Sequence, residues 1–219
     1  EKASKLTLEA MEAARQTIKP GVSEIEVAAA AERVLRLGGS EFYAFATLVA
    51  SGERAAYPHA SPTFKKIKEG ETVIVDLGAR ISGYCADFTR TFILGEAKPS
   101  LLKACEAVLK AREKAFQEIK PGIEGFKVDE AARKVLEDYG FKGLFIHGLG
   151  HGVGLEIHEP PRLTPSSNDK LLEGSVFTVE PGIYVSGEFG VRVEDTVHLT
   201  SSGVRLLVKE EGEELISML

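Results

Sequence analysis

The chain has 219 residues, of which 43% are hydrophobic, and its formal net charge is −6. This length suits one domain with a sizeable core. The mild negative charge without a basic cluster argues against nucleic-acid binding, and no apolar run approaches the roughly 20 residues of a membrane helix. The N-terminus lacks the pattern of a signal peptide, and Cys85 and Cys105 do not have the spacing of metal ligands. A cytoplasmic protein with free thiols is therefore expected.

The first half of the chain predicts two helices followed by strands. The second helix begins with a capping box, in which Ser23 is followed three residues later by Glu26. A loop rich in Gly, Pro and Ser at 51–62 separates the first strand from a hairpin that turns at Ser82-Gly83. The helices are expected at 4–18 and 24–37, and the strands at 42–50, 72–79 and 84–94.

The second half predicts the same order of elements. Pro99 lies at the start of a long helix expected at 100–119, as proline often does in a first turn. A second helix is expected at 128–139, after a break that repeats an earlier one.

Four sequence features recur in the same order in both halves. These are 18–21 as 119–122, Val34-Leu35 as Val135-Leu136, Asp76 as Glu180, and Asp87-Phe88-Thr89 as Glu194-Asp195-Thr196. One such echo could arise by chance, but four indicate a duplication in which each half has two helices and a hairpin. A pseudo-two-fold axis would bring the four carboxylates to a shared centre.

The four repeated acids need a partner. Asp76 and Glu180 each end an apolar strand, where a solvent-facing acid is unusual, and Asp87 and Glu194 occupy matching places in the halves. Buried carboxylates are normally protonated, paired or metal-bound. Hard oxygen ligands in this number favour two divalent cations about 3.5–4 Å apart.

The most distinctive segment is rich in glycine and histidine. His147, His151 and His158 lie within it, and neither the HExxH motif of zincin proteases nor the GxSxG motif of serine hydrolases occurs. His59 lies in a polar loop, where a solvated side chain is the usual reading. Arg192 shares a strand face with Glu194 and suits either a structural ion pair or a substrate carboxylate.

Six motifs together resemble the creatinase and methionine-aminopeptidase superfamily, peptidase family M24. They are Val75-Asp76-Leu77-Gly78, 86–91, 147–155, His158-Glu159-Pro160, 178–182 and 191–196. The resemblance spans essentially the whole chain and is greatest to proline dipeptidases (prolidases) and Xaa-Pro aminopeptidases. It implies the α+β pita-bread fold, with two pseudo-symmetric halves, a curved antiparallel sheet and outer helices. It also implies that residues 1–219 are the catalytic domain of a longer protein.

The resemblance assigns roles to individual residues. It implies two divalent ions (Mn, Co, Zn or Fe) held by Asp76, Asp87, His151, Glu180 and Glu194, with Asp87 and Glu194 bridging. His59, His147, His158 and Arg192 match substrate-facing positions, which overturns the solvated reading of His59. Among these residues, His59, His158 and Glu180 are the expected catalytic groups.

The implied reaction is hydrolysis of Xaa-Pro bonds by a hydroxide that bridges two metals, acting on peptides with Pro at the second position. A methionine aminopeptidase and an inactive peptide-binding module are the alternatives, and assembly into a homodimer is left open. Thr89 and Thr196 lie two residues after the bridging acids, so each hydroxyl is predicted to orient a carboxylate.

Overall fold

The computed structural model describes residues 1–208 and 216–219. The helices are α1 (Lys2–Thr17), α2 (Glu24–Leu37), α3 (Pro99–Glu118) and α4 (Gly125–Asp138), with a 3₁₀ turn at Gly52–Ala56. The strands are β1 (Leu48–Ser51), β2 (Thr72–Leu77), β3 (Arg80–Ile81), β4 (Tyr84–Cys85), β5 (Phe88–Ile93), β6 (Gly150–Gly152), β7 (Glu159–Leu163), β8 (Val176–Val179), β9 (Gly182–Val185), β10 (Phe189–Arg192), β11 (Asp195–Thr200), β12 (Gly203–Leu206) and β13 (Ile216–Met218). All four predicted helices are therefore present, with ends shifted by a few residues.

The strands form one main sheet in each half. The first has the order β1-β2-β5-β13 and the second β12-β11-β8-β6-β7. The pairs β2–β5 and β8–β11 are antiparallel and occupy corresponding places, whereas β13 runs parallel to β5. The helix pairs α1–α2 and α3–α4 each pack together. The α+β class and the two similar halves are as predicted.

The repeated helix break has the same structure in both halves. Gly21 and Gly122 adopt φ of 84° and 87°, a left-handed conformation that suits glycine. The Gly21 N–H donates to the Ile67 carbonyl at 2.9 Å, and the Gly122 N–H donates to the Leu171 carbonyl at 2.7 Å. Each break therefore ties its helix pair to the segment that precedes an inner strand, β2 in the first half and β8 in the second.

Each half has its own apolar core. One buried cluster includes Leu35 and Val75 from the first half, and the other includes Leu136, Phe177 and Leu199 from the second. Burying one such side chain contributes about 1.5–3 kcal/mol. The two cores hold the paired sheets in place, so the strand ends that carry the acids have fixed positions.

Two predicted strands differ from the structure. In the strand expected at 42–50, the continuous ladder with β2 runs only from Leu48 to Ser51. Tyr43 pairs with Ala79 in a single bridge, and the register changes between the two places, so the residues between them leave the ladder. The strand expected at 84–94 is interrupted before Phe88, where the N–H of Ala86 donates to the carbonyl of Ala79 at 2.9 Å. The capping box is confirmed, since the Ser23 N–H donates to Glu26 Oε2 at 2.8 Å.

The helices were also tested for membrane spans. Within 1–208 and 216–219, none of them combines the length and the apolar character that crossing a bilayer requires.

Candidate metal centre

The four repeated acids all lie at the ends of inner strands. Asp76 is on β2 and Asp87 directly precedes β5, while Glu180 directly follows β8 and Glu194 directly precedes β11. His151 is on β6, next to β8 in the same sheet. Because the strands pair in a fixed register, these side chains converge between the two halves.

Three of the predicted ligands form a compact group. Asp87, His151 and Glu194 each offer a donor atom, and these atoms all lie within 4.8 Å of one another. The Nε2 atom of His151 is 3.5 Å from Asp87 Oδ2 and 3.4 Å from Glu180 Oε1. Asp76 lines the same cavity, and Arg192 donates to its Oδ2 atom at 2.7 Å.

The acids raise one another's pKa values. Burial and the neighbouring Glu194 raise the pKa of Asp87 well above its usual value, and burial and Glu180 do the same for Glu194. Burial, reinforced by Asp76, raises the pKa of Glu180 to about 8. Acids this close and this buried cannot all be ionised unless positive charge joins them.

The residues present fit a divalent cation. The Oδ1 atom of Asp76 is buried and has no hydrogen-bond partner within the described part of the chain. A buried carboxylate oxygen without a donor is costly unless a cation satisfies it. Carboxylate oxygens with one imidazole also match the ligands preferred by Mn, Co, Zn and Fe. The unpaired oxygen of Asp76 and the mutual repulsion of the acids are thus both satisfied by a bound divalent cation.

The surroundings of His151 favour the neutral imidazole, with a free lone pair on Nε2. Its Nδ1 lies 3.1 Å from the Gly152 carbonyl, so Nδ1 carries the proton and the Nε2 lone pair faces the acids. Burial lowers the pKa of His151 to about 4, which keeps the ring neutral near pH 7. A main-chain acceptor on the far side of a metal-binding imidazole is the usual way to fix its tautomer.

Arg192 is committed to protein partners. Its guanidinium donates to Asp76 Oδ2 at 2.7 Å and to the Tyr184 hydroxyl at 2.8 Å, and only 2% of the residue is exposed. It also donates to the Pro58 carbonyl at 3.1 Å. Of the two readings of Arg192, the structure contains the ion pair. Its predicted contact with a substrate carboxylate stays a prediction.

The other predicted histidines surround the same cavity. His158 packs edge-on against His151, with ring centroids 4.3 Å apart, and His59 lies exposed on its loop. His147 is half-buried, and its Nε2 is 2.7 Å from the Tyr184 hydroxyl. Burial, with Arg192 nearby, lowers the pKa of His147 to about 3. Every histidine predicted to contact substrate therefore lies at this site.

The two threonines behave differently. Thr89 Oγ1 donates to Glu194 Oε2 at 2.7 Å, as predicted. Thr196 Oγ1 donates at 2.7 Å to the main-chain carbonyl of Asp87, not to a carboxylate, so that prediction is wrong for Thr196. Each hydroxyl nevertheless supports the acid of the opposite half.

The cavity above the acids has a volume of about 400 Å³. Phe45, Ala46 and Leu48 give it an apolar wall, and Arg162 adds a cation at its edge. Sequence reasoning missed these residues and Tyr184. Phe45 and Ala46 lie in the segment expected to be a strand, and no spacing signal marks Tyr184 or Arg162.

Comparison with known proteins gives a match of residues 1–201 to metallopeptidase family M24. The chain is 43% identical over 215 residues to the Xaa-Pro dipeptidase of Pyrococcus furiosus, which is 98% of this chain and 62% of that protein. It thus spans about three-fifths of the length of such relatives.

Solved structures agree with this match. The Xaa-Pro dipeptidase from Bacillus anthracis superposes with a TM-score of 0.94 at 40% identity, over 99% of this chain and 61% of that one. The X-Pro aminopeptidase from Thermotoga maritima gives a TM-score of 0.93 at 38% identity, over 99% and 61%. The predicted pita-bread fold is confirmed.

Proposed function

This chain belongs to metallopeptidase family M24, and from that premise we propose that it hydrolyses Xaa-Pro peptide bonds with the help of two divalent ions. The observation that carries the proposal is the convergence of Asp87, His151 and Glu194, beside Asp76 and Glu180, at the base of a cavity. The similarity to proteins named Xaa-Pro dipeptidase and X-Pro aminopeptidase supports the substrate class.

The five predicted ligands would hold the ions, and Asp87 and Glu194 would contact both of them. When bound, such ions lower the pKa of water towards 7 and polarise a carbonyl oxygen. Their charge also offsets the repulsion that raises the pKa values of the acids.

Glu180 would move the proton in this reaction. Burial raises its pKa to about 8 in the absence of metal, and the charge of bound ions would lower that pKa, so near neutral pH the carboxylate could accept a proton from water and return it. The carboxyl stands 3.4 Å from His151, at the base of the cavity. It is therefore the acid we assign to proton transfer.

The histidines would bind and polarise the substrate. His158, exposed at the cavity beside His151, would donate a hydrogen bond as negative charge develops on the carbonyl oxygen. His59 and His147, with Arg192, would hold the substrate's carboxylate or leaving residue. Arg192 can do so only by exchanging one of its present acceptors for the substrate.

Proline would be selected by shape. An Xaa-Pro bond lacks an N–H, so a site that required this donor would reject it. The wall formed by Phe45, Ala46 and Leu48 offers apolar surface for a pyrrolidine ring instead.

The test is hydrolysis of Ala-Pro, Ala-Pro-Ala and Met-Ala-Ser after loading the metal-free protein with Mn²⁺, Co²⁺, Zn²⁺ or Fe²⁺. We expect cleavage of one or both proline peptides and none of Met-Ala-Ser. The ratio of the two proline peptides separates a dipeptidase from an aminopeptidase. Cleavage of Met-Ala-Ser alone would indicate a methionine aminopeptidase, and inactivity with every metal a peptide-binding module.

A further inference from the structure

The loop that carries His59 is held by a buried carboxylate from another element. Glu24 is the first residue of α2, and its side chain is fully buried. Its Oε1 accepts from the N–H and hydroxyl of Ser51 at 2.8 and 2.9 Å. Its Oε2 accepts from the N–H and hydroxyl of Thr63 at 3.0 and 2.7 Å. The carboxylate thus ties together the two ends of segment 51–63.

Arg54 completes this arrangement. Its Nε lies 3.1 Å from Glu24 Oε2, and its guanidinium donates to the Ser61 carbonyl at 2.6 Å. A carboxylate has about four lone-pair positions, so the five donor groups around Glu24 saturate it. Ser61 and Thr63 follow His59 by two and four residues, so the bonds act close to His59 along the chain.

The second half contains a comparable arrangement. Asp129 on α4 accepts from the Leu149 N–H at 3.0 Å, and Arg133 donates to the carbonyls of Phe145 and His147 at 2.5 and 2.8 Å. Arg133 and Asp129 are themselves paired at 2.9 Å. In each half an acid–arginine pair therefore fixes a segment that carries a predicted substrate-facing histidine.

We propose that Glu24, acting with Arg54, is a positioning residue that sets the location of His59 at the cavity. The proposal rests on the proposed peptidase function, in which His59 contacts substrate. A purely structural role would weaken the fold without depending on His59. Misplacing a substrate-binding group by about 1 Å can cost up to about a hundredfold in rate, so a positioning role has a measurable kinetic effect.

A double-mutant cycle in the metal-loaded protein separates the two roles. Glu24→Gln keeps the shape but replaces one acceptor oxygen with a donor, so the bonds to Ser51 or to Thr63 are lost. We expect kcat/KM for Ala-Pro to fall about ten- to a hundredfold in the parent. In a His59→Ala background the same change should have almost no further effect, because coupled residues are non-additive.

Asp129→Asn is the matched control. It loosens the segment at 145–149, so its effect on kcat/KM should be equal with and without His59. The proposal would be overturned if Glu24→Gln lowered kcat/KM by the same factor in the parent and in the His59→Ala variant. It would also be overturned if the His59→Ala variant kept the kcat/KM of the parent.

Hydrogen exchange gives a readout that does not depend on activity. Glu24→Gln should speed amide exchange at 57–63 and leave 145–149 unchanged, and Asp129→Asn should do the reverse. Unchanged exchange at 57–63 would refute the proposal.

If Glu24→Gln does not fold, the Arg54→Gln variant is tested in its place, since Arg54 is partly exposed and contacts Ser61 directly. If the parent cleaves no proline peptide, the proposed function fails, and exchange alone then decides on positioning.

Discussion

Two threonines at matching positions support the centre in different ways. Thr89 bonds to a carboxylate oxygen of Glu194, whereas Thr196 bonds to the main-chain carbonyl of Asp87. The first contact sets the direction of a ligand's oxygen, and the second sets only the path of the chain. The symmetry of the sequence therefore does not extend to the hydrogen bonds of these two threonines.

Replacing these threonines by valine should separate the two effects. Thr89→Val should weaken metal binding about 10–100-fold, as is typical when a partner of a ligand is lost. Thr196→Val should mainly lower the free energy of unfolding, by about 1 kcal/mol for one buried hydrogen bond. Calorimetric titration with Mn²⁺ and urea unfolding measure the two quantities. Equal losses of metal affinity in both variants would contradict this assignment.

The two acids proposed to contact both ions give a second prediction at this scale. Asp87→Asn or Glu194→Gln should abolish turnover and reduce the metal content to one ion per chain or fewer. The control is Asp195→Asn, which alters a buried acid paired with Arg90 and Arg112 at 2.9 and 2.5 Å. Removing that charge should lower stability by about 3–5 kcal/mol while the folded fraction keeps its metals. Elemental analysis of the purified proteins measures the metal content, and two ions in Asp87→Asn would refute the assignment.

At the scale of elements, the helices could be predicted because amphipathic periodicity and Pro-Gly breaks are local signals. The strand expected at 42–50 is formed only in part, because its register against the neighbouring chain changes between Tyr43 and Leu48, which is a tertiary property. The acids could be located through the duplication. Tyr184, Phe45 and Glu24 could not, since their roles arise from contacts between elements distant in sequence.

The interruption between β4 and β5 places Asp87, and it depends on a close approach at Gly78. A Cβ atom at Gly78 would lie 1.9 Å from the Ala86 carbonyl oxygen. Gly78→Ala should therefore displace segment 86–87, cost about 1–3 kcal/mol or more, and weaken metal binding.

Gly21→Ala is the control for this change. Its Cβ would meet nothing within 4 Å, and only the positive φ of 84° is unfavourable, at a cost of about 1 kcal/mol. Urea unfolding and Mn²⁺ titration of both variants test the difference. Unchanged metal affinity in Gly78→Ala would show that the glycine does not position Asp87.

For the molecule as a whole, the acidic centre stores electrostatic free energy that depends on pH. Folding brings Asp87, Glu180 and Glu194 out of water and towards one another, which raises all three pKa values. The same burial lowers the pKa values of His147 and His151 to about 3 and 4. The metal-free fold is therefore opposed by proton release from the acids at high pH and by proton uptake on the histidines of the unfolded chain at low pH.

The metal-free protein should lose stability as the pH rises from about 6.5 to 8. In this window the folded protein binds more protons than the unfolded chain, because Glu180 has a pKa of about 8 when folded and its ordinary pKa of 4.5 when unfolded. Stability falls with pH wherever the folded state holds the extra protons, here by up to about 2 kcal/mol per titrating carboxyl. The histidines oppose this fall only near pH 6.5, where about half of those in the unfolded chain are still protonated, and add little at higher pH. Divalent ions compete with those protons, so the stabilisation by Mn²⁺ should grow over the same window, and metal binding should release protons.

Two experiments measure these effects. Thermal unfolding with and without Mn²⁺ at pH 6.5 and 8 gives the change in stability, and titration calorimetry in two buffers of different ionisation enthalpy gives the protons released. A Glu180→Gln variant should show a smaller dependence. A pH-independent melting difference with no proton release would mean that the acids are already ionised in the metal-free fold.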